Sequence, residues 1–147
     1  YFGYDLDDVF LDLAKNNFPE ISDKFIKLDI SKETPPKRDL TICSATFEHL
    51  DSPYSSLLTM LNTSDKHIIL RTFVGTKEIN FIQDNKKFVD EPYSINQFNL
   101  YDLSKLFFEN GFDFHCIKDK ATKSEPYELW KNSNIFRQVY ILVGSRH

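Results

Sequence analysis

Glycine is scarce in this chain: four residues among 147, where about 7% is usual. Gly3, Gly75, Gly111 and Gly144 stand far apart, so no two of them can share a glycine-rich phosphate loop. Cysteine is scarcer still. Cys43 and Cys116 are too few for a disulfide framework. Each sits in an apolar run, so both are expected to be buried thiols, and a cytoplasmic location is the default. Long hydrophobic runs are missing: Ile68-Ile69-Leu70 is typical, far short of a bilayer-spanning segment. No membrane partner is expected. An excess of basic charge is also missing. With 18 basic and 22 acidic residues the net charge is −4, which argues against a nucleic-acid partner. The four histidines and two cysteines show no metal-ligand spacing, so no metal is expected. His67 and His115 lie in strand contexts and read as structural, Lys86-Lys87 reads as a solvated pair, and His147 ends the chain. No basic-then-apolar signal segment opens the sequence. Alanine is rare and lysine, asparagine and phenylalanine are abundant, a bias that suggests an AT-rich, bacterial genome.

What is present is globular. The chain is 41% hydrophobic, 15% aromatic and 27% charged, and its length suits one domain over 1–147. Residues 1–5 read as a strand ending in an acid. A helix is predicted from Asp7 to Asn17, with Val9, Phe10, Leu13 and Ala14 on one stripe and Asp7 and Asp8 in its first turn. Lys24 to Ile30 reads as a strand, and 31–38 as a loop around Pro35-Pro36. Asp39 to Ser44 is nearly continuous in apolar residues, the pattern of a strand covered on both faces. Ser52-Pro53 marks a helix start, and Leu57, Leu58 and Leu61 are its inward positions. Lys66 to Val74 is a buried strand. Residues 75–98 read as an irregular insertion or lid. A helix follows from Asn99 to Asn110, with Leu100, Leu103, Leu106 and Phe107 facing the core and Asn110-Gly111 stopping it. Strands at Phe112–Lys118 and Phe136–Gly144 flank a polar excursion at 121–134. The alternation argues an α/β domain with a doubly wound, mainly parallel sheet. Its last two strands pair antiparallel, because no helix of normal length separates them.

In such a sheet, ligands bind at the carboxyl ends of the strands. Asp5 ends the first strand, where a carboxylate offers two acceptor oxygens to the hydroxyls of a ribose. It suits a helix N-cap equally well. Asp29 ends the next strand, placed to accept from an exocyclic amine or to sit solvated in a turn. The third strand runs into Cys43-Ser44-Ala45-Thr46-Phe47-Glu48-His49-Leu50, a polar cluster where a chain usually enters a helix. Tyr93, Phe98, Tyr101, Tyr127 and Trp130 are read either as walls of an acceptor pocket or as satellite core under long loops. No Gly-x-Ser-x-Gly elbow surrounds Ser44, so Ser44 and His49 do not form a nucleophile–base pair on this pattern.

Taken together these segments resemble the class I S-adenosylmethionine-dependent methyltransferases. Gly-Tyr-Asp-Leu-Asp-Asp-Val-Phe-Leu-Asp-Leu-Ala-Lys is similar to that family's second strand and following helix, and Phe-Ile-Lys-Leu-Asp-Ile to its third-strand motif. Asp-Leu-Thr-Ile-Cys-Ser-Ala-Thr-Phe-Glu-His-Leu-Asp-Ser-Pro resembles its fourth strand and the loop beyond, the most specific match. Gln-Phe-Asn-Leu-Tyr-Asp-Leu-Ser-Lys-Leu-Phe-Phe-Glu-Asn-Gly-Phe resembles the helix leading into its sixth strand. Nearly the whole chain is covered, with 75–98 and 119–134 matching least.

The resemblance implies S-adenosylmethionine as methyl donor, S-adenosylhomocysteine as product and a small-molecule acceptor. Asp5 would bind the ribose hydroxyls, with Leu6 on the adenine or ribose face. Asp29 would meet the adenine amine, with Ile30 beside the ring. Ser44 and Ala45 would line the methionine arm, and His49 or Glu48 would serve as base at the methyl-transfer end. The family's first strand and its glycine-rich loop have no counterpart in this sequence. That strand lies centrally in the family's sheet, between the strands that here end at Asp5 and Ser44. Roughly 30 or more upstream residues, about one strand–helix unit, are therefore expected in the natural protein. Two other readings remain open: a non-catalytic binding or scaffolding module of the same fold, and a nicotinamide-dependent oxidoreductase, which also places an acid after its second strand. The acceptor and the oligomeric state are not encoded in any motif.

Overall fold

The computed structural model describes residues 1–84, 92–121, 125–128, 131, 134 and 136–146. Lys86-Lys87, Trp130 and His147 lie outside the described residues. The chain forms two compact units, Tyr1–Pro35 and Pro36–His147.

The N-terminal unit contains β1 (Gly3–Asp5), α1 (Asp8–Asn17), a 3-10 stretch (Pro19–Lys24) and β2 (Phe25–Lys27). Asp7 caps α1 by accepting from the Val9 amide at 2.8 Å, which satisfies one of the orphan donors of the first turn. Pro19 ends the run, since it opens the 3-10 stretch directly after Phe18. β1 and β2 pair in parallel, Gly3 opposite Phe25 and Asp5 opposite Lys27. The expected strand at Lys24 to Ile30 is shorter than its sequence suggests, because Asp29 turns the chain: its carbonyl accepts from the Lys32 and Glu33 amides. The expected apolar stripe of α1 does not pack. Val9, Phe10 and Leu13 are 72%, 60% and 55% exposed, and Leu11 is the helix's buried residue. Two three-residue strands offer too little surface to cover more.

The C-terminal unit is built on β4 (Ser64–Gly75). Along one side β4 pairs in parallel with β3 (Arg38–Ser44), and along the other it pairs antiparallel with β9 (Phe136–Ser145). β9 in turn pairs antiparallel with β7 (Asp113–Lys118), giving the order β3-β4-β9-β7 with the expected antiparallel closure. The segment 75–98, expected to be irregular, contains a hairpin instead: β5 (Ile79–Gln83) against β6 (Tyr93–Asn99). β6 then joins the main sheet beside the last residues of β4, Phe98 opposite Val74 and Asn99 opposite Gly75. Within the polar excursion, β8 (Tyr127–Glu128) pairs with the start of β9. The helices are α2 (Pro53–Thr63) and α3 (Leu100–Glu109).

Strand alternation organises the core. Ile68, Leu70, Thr72 and Val74 of β4 are buried on one face, while Ile69, Arg71 and Phe73 on the other are half-buried. Leu142 of β9, Leu57 and Leu61 of α2, and Leu103 and Phe107 of α3 are fully buried. Gly144 is required by this packing: a Cβ there would come within 2.7 Å of the Phe107 ring. Gly111 stops α3 at φ +77°, a conformation that costs other residues energy.

Four further expectations need correction. Leu58 is 37% exposed and Met60 takes the inward position, because Leu57, Met60 and Leu61 share the i, i+3, i+4 stripe. Leu100, in the first turn of α3, is 39% exposed. β3 is not covered on both faces: Leu40 and Ile42 are 45% and 64% exposed, and among the described residues β4 is its one strand partner. Cys116 is exposed, since β7 is likewise bonded only to β9 among the described residues.

Candidate functional site

Parallel pairing places the carboxyl ends of β1 and β2 side by side, and the Leu28 amide donates to the Asp5 carbonyl at 3.0 Å. Asp5 does not cap α1. Its Oδ1 instead accepts from the Asp7 amide at 2.9 Å, so one of its two oxygens is engaged. Leu6 beside it is 58% exposed. Asp29 is more committed. Its Oδ1 accepts from the amide and hydroxyl of Ser31, and Oδ2 pairs with the Lys32 ammonium at 2.8 Å. The Lys32 bond, followed by the two from Ser31, lowers the Asp29 carboxyl from 3.8 to about 2. Ile30 is half-buried.

In the C-terminal unit the chain leaves β3 through Ser44 and Ala45. Ala45 adopts φ 57°, the left-handed region that costs a residue with a Cβ. Its amide reaches the Arg71 carbonyl of β4 at 3.3 Å. The sharp turn delivers a 3-10 turn, Phe47–His49, whose Phe47 is fully buried and stacks on Phe98 with ring centroids 4.4 Å apart. This anchor fixes Glu48 and His49. Glu48 is buried and accepts from the Thr72 hydroxyl at 3.2 Å. Burial, aided by the Glu48 charge, pushes the half-buried Cys43 thiol up to about 12, so it stays protonated and is no nucleophile at neutral pH.

His49 Nδ1 lies 2.9 Å from the Ser94 carbonyl oxygen. A carbonyl only accepts, so Nδ1 carries a proton, and in the neutral imidazole the lone pair is then on Nε2. The Tyr93 ring meets the imidazole edge-on at 5.2 Å. The neighbouring turn is tied to the same strand, as the Ser94 hydroxyl donates to Asp51 and the Asn96 amide group to the Leu50 carbonyl.

These groups border an open cleft of about 310 Å³, within the size range of small-molecule sites. Ala45, Glu48 and His49 form one wall, and Tyr93 and Ile95 of β6 another. The floor is the half-buried sheet face: Arg71 and Phe73 of β4, Arg137 and Val139 of β9, and Tyr127 of β8. Ser44 is exposed and is not among the lining residues. Of the aromatic residues considered from sequence, Tyr93 and Tyr127 line the cleft, Phe98 is core, and Tyr101 is 72% exposed. Sequence reasoning missed Arg71 and Arg137. The signal was a cation inside an apolar strand, as in Ile68-Ile69-Leu70-Arg71-Thr72-Phe73-Val74. Missed too was Asp119, 3% exposed, which receives the Arg71 Nε–H at 2.8 Å.

No protein-family model and no curated protein sequence matches the chain. Solved structures do. The magnesium protoporphyrin IX methyltransferase of Synechocystis, with bound S-adenosylmethionine, superposes at a TM-score of 0.60 and 16% identity, covering 99% of this chain and 59% of that one. The N-terminal domain of EvdMO1, solved with S-adenosylhomocysteine and D-fucose, matches at 0.69 and 12%, over 99% of this chain and 66% of that one. An S-adenosylmethionine-dependent methyltransferase of Clostridium acetobutylicum matches at 0.65 and 14%, over 99% and 75%. The chain thus spans about three-fifths of the length of the first and two-thirds of the second. The likeness is one of fold: a class I S-adenosylmethionine-dependent methyltransferase fold, as its strand and loop motifs suggest.

Proposed function

We propose that this chain is an S-adenosylmethionine-dependent methyltransferase with a small-molecule acceptor, which would occupy the cleft beside His49. The observation that carries the reading is the His49–Ser94 bond. It fixes the imidazole tautomer that leaves Nε2 able to accept a proton, beside a cleft at the carboxyl end of the parallel strands in a fold whose neighbours hold S-adenosylmethionine and S-adenosylhomocysteine.

The residues fit the cofactor in part. The Asp5 carboxylate has an oxygen to offer beyond its bond to Asp7, suited to a ribose hydroxyl, with Leu6 as its apolar neighbour. Asp29 stays ionised at any physiological pH, and a carboxylate has about four lone-pair positions, so it can still accept from an adenine amine with Ile30 alongside. Ser44 and Ala45 are the proposed contacts for the methionine arm. When bound, the cofactor supplies a methyl group already activated on a sulfonium. The protein's task is then alignment. Tyr93, Phe73 and Tyr127 would orient a flat acceptor, and His49 Nε2 would take the proton that the acceptor loses. Glu48, bonded to Thr72, is the weaker candidate for base. The net charge of −4 supports a small-molecule acceptor over nucleic acid, and two free cysteines suit the cytoplasm.

Calorimetric titration with S-adenosylmethionine and S-adenosylhomocysteine tests the reading; micromolar binding supports it. Asp5→Ala should weaken that binding by about 1–3 kcal/mol. His49→Ala should lower turnover with little change in cofactor affinity. Absence of binding would favour a non-catalytic module of the same fold.

A further inference from the structure

Two guanidinium groups line the cleft, and they are not equivalent. Arg71 is neutralised, its Nε–H on the buried Asp119 carboxylate at 2.8 Å. Arg137 has no such partner. Its guanidinium lies 4.2 Å from the centroid of Phe73 and 5.0 Å from that of Tyr127. Tyr127 is its β8 partner in the ladder. Its Nε and Nη1 are buried and make no hydrogen bond. Glu48, also on the cleft, is bonded to Thr72 instead, and no carboxylate among the described residues lies within ion-pair distance of Arg137. Ring faces hold a cation in place, yet they do not replace oxygen acceptors. Cationic donors left unsatisfied out of water are costly, and this one lies on the floor of a cleft. An oxyanion would remove that cost, and a planar guanidinium matches a carboxylate or phosphate in shape as well as charge.

We propose that the acceptor is a flat, partly apolar molecule bearing a carboxylate or phosphate, and that Arg137 is the residue that recognises this anion. The word acceptor rests on the methyltransferase reading; the anion site does not.

The test uses benzoate, phenyl phosphate and neutral benzamide as probes, titrated into 15N-labelled protein while the Arg137 Nε–Hε cross-peak is followed. At least one anion should bind roughly ten- to hundredfold tighter than benzamide, the span expected for charge-assisted hydrogen bonds, and should move that cross-peak. A preference for benzoate identifies a carboxylate site and one for phenyl phosphate a phosphate site. Arg137→Gln should abolish the preference, and Arg137→Lys should keep part of it. Equal binding of all three probes, binding of none at millimolar concentration, or an intact preference in Arg137→Gln would overturn the proposal. The wild-type comparison of anion with amide does not depend on any variant folding. S-Adenosylhomocysteine is titrated in parallel. Anion preference without its binding strikes the methyltransferase reading alone; its binding without anion preference strikes only the role of Arg137.

Discussion

The two units treat the same kind of helix differently. In the C-terminal unit α3 carries Leu103 and Phe107 into full burial. In the N-terminal unit α1 has an equally regular apolar stripe, and Val9, Phe10 and Leu13 on it remain more than half exposed. Among the described residues of that unit, only Leu11 and Phe25 are buried apolar residues. Ion pairs divide in the same way: Arg71–Asp119 is largely buried, whereas Lys27–Asp8 is 55% and 68% exposed. Periodicity announces a helix, but the area of sheet available decides how much of the helix is buried. The C-terminal unit supplies a broad sheet, and the N-terminal unit a ribbon of two three-residue strands.

The sharpest test of the contrast is a pair of truncations. Phe107→Ala should cost about 3–5 kcal/mol in urea unfolding, as for other buried aromatic residues, because it also empties the space beneath Gly144. Leu13→Ala should change stability by less than about 0.5 kcal/mol. A larger loss at Leu13 would show that the α1 stripe is packed in solution and break the comparison. The ion pairs form a second couple. Asp119→Asn strands a half-buried guanidinium and should cost about 3 kcal/mol, the low end for breaking a buried pair, since Arg71 keeps 23% exposure. Asp8→Asn should cost under about 1 kcal/mol, as exposed pairs do. Equal losses would mean that burial does not separate them.

Much of this contrast was not legible in the sequence. Punctuation was: Asn110-Gly111 ends α3, Pro53 opens α2, and the closing antiparallel strand followed from the missing helix before it. Local pattern carries such signals because their causes are local. The faces of β3 and the exposure of Cys116 were misread because an apolar run does not say whether its neighbours in the sheet are present. The loop from Cys43 to Leu50 was legible as a polar cluster at a strand end, and it places Glu48 and His49 on the cleft. The partners that define the cleft were hidden by distance along the chain. Arg71 and Asp119 are 48 residues apart, and nothing local shows that one cation is neutralised while Arg137 is not.

A smaller effect is expected at Ala45, which breaks a local rule inside the well-packed unit. Its φ of 57° costs a residue with a Cβ about 1–2 kcal/mol. Ala45→Gly should therefore raise the unfolding free energy by about 1 kcal/mol, after the greater freedom of glycine in the unfolded chain is offset. A loss of stability instead would show that the Ala45 methyl makes packing contacts worth more than the backbone strain. If the variant is also less active, the strained turn contributes to holding Glu48 and His49 in place.

The smallest effect belongs to the N-terminal unit and is a pH dependence. The Asp29 carboxyl is lowered from 3.8 to about 2, first by the Lys32 hydrogen bond and then by the two from Ser31. A lowered carboxyl stabilises the fold only while it is ionised. Its contribution is therefore complete above about 3.8 and disappears as the pH falls through about 2. Carboxyl-carbon NMR titration of the intact chain should find Asp29 ionised well below its ordinary range. Lys32→Gln should move that titration upward, because the largest cause is removed, while the Ser31 bonds keep it below 3.8. Titration near 3.8 in the unaltered chain would show that the turn is not formed in solution. The turn and the proposed adenine contact would then fail together, since the bonds to Ser31 and Lys32 are what hold this carboxylate at the end of β2.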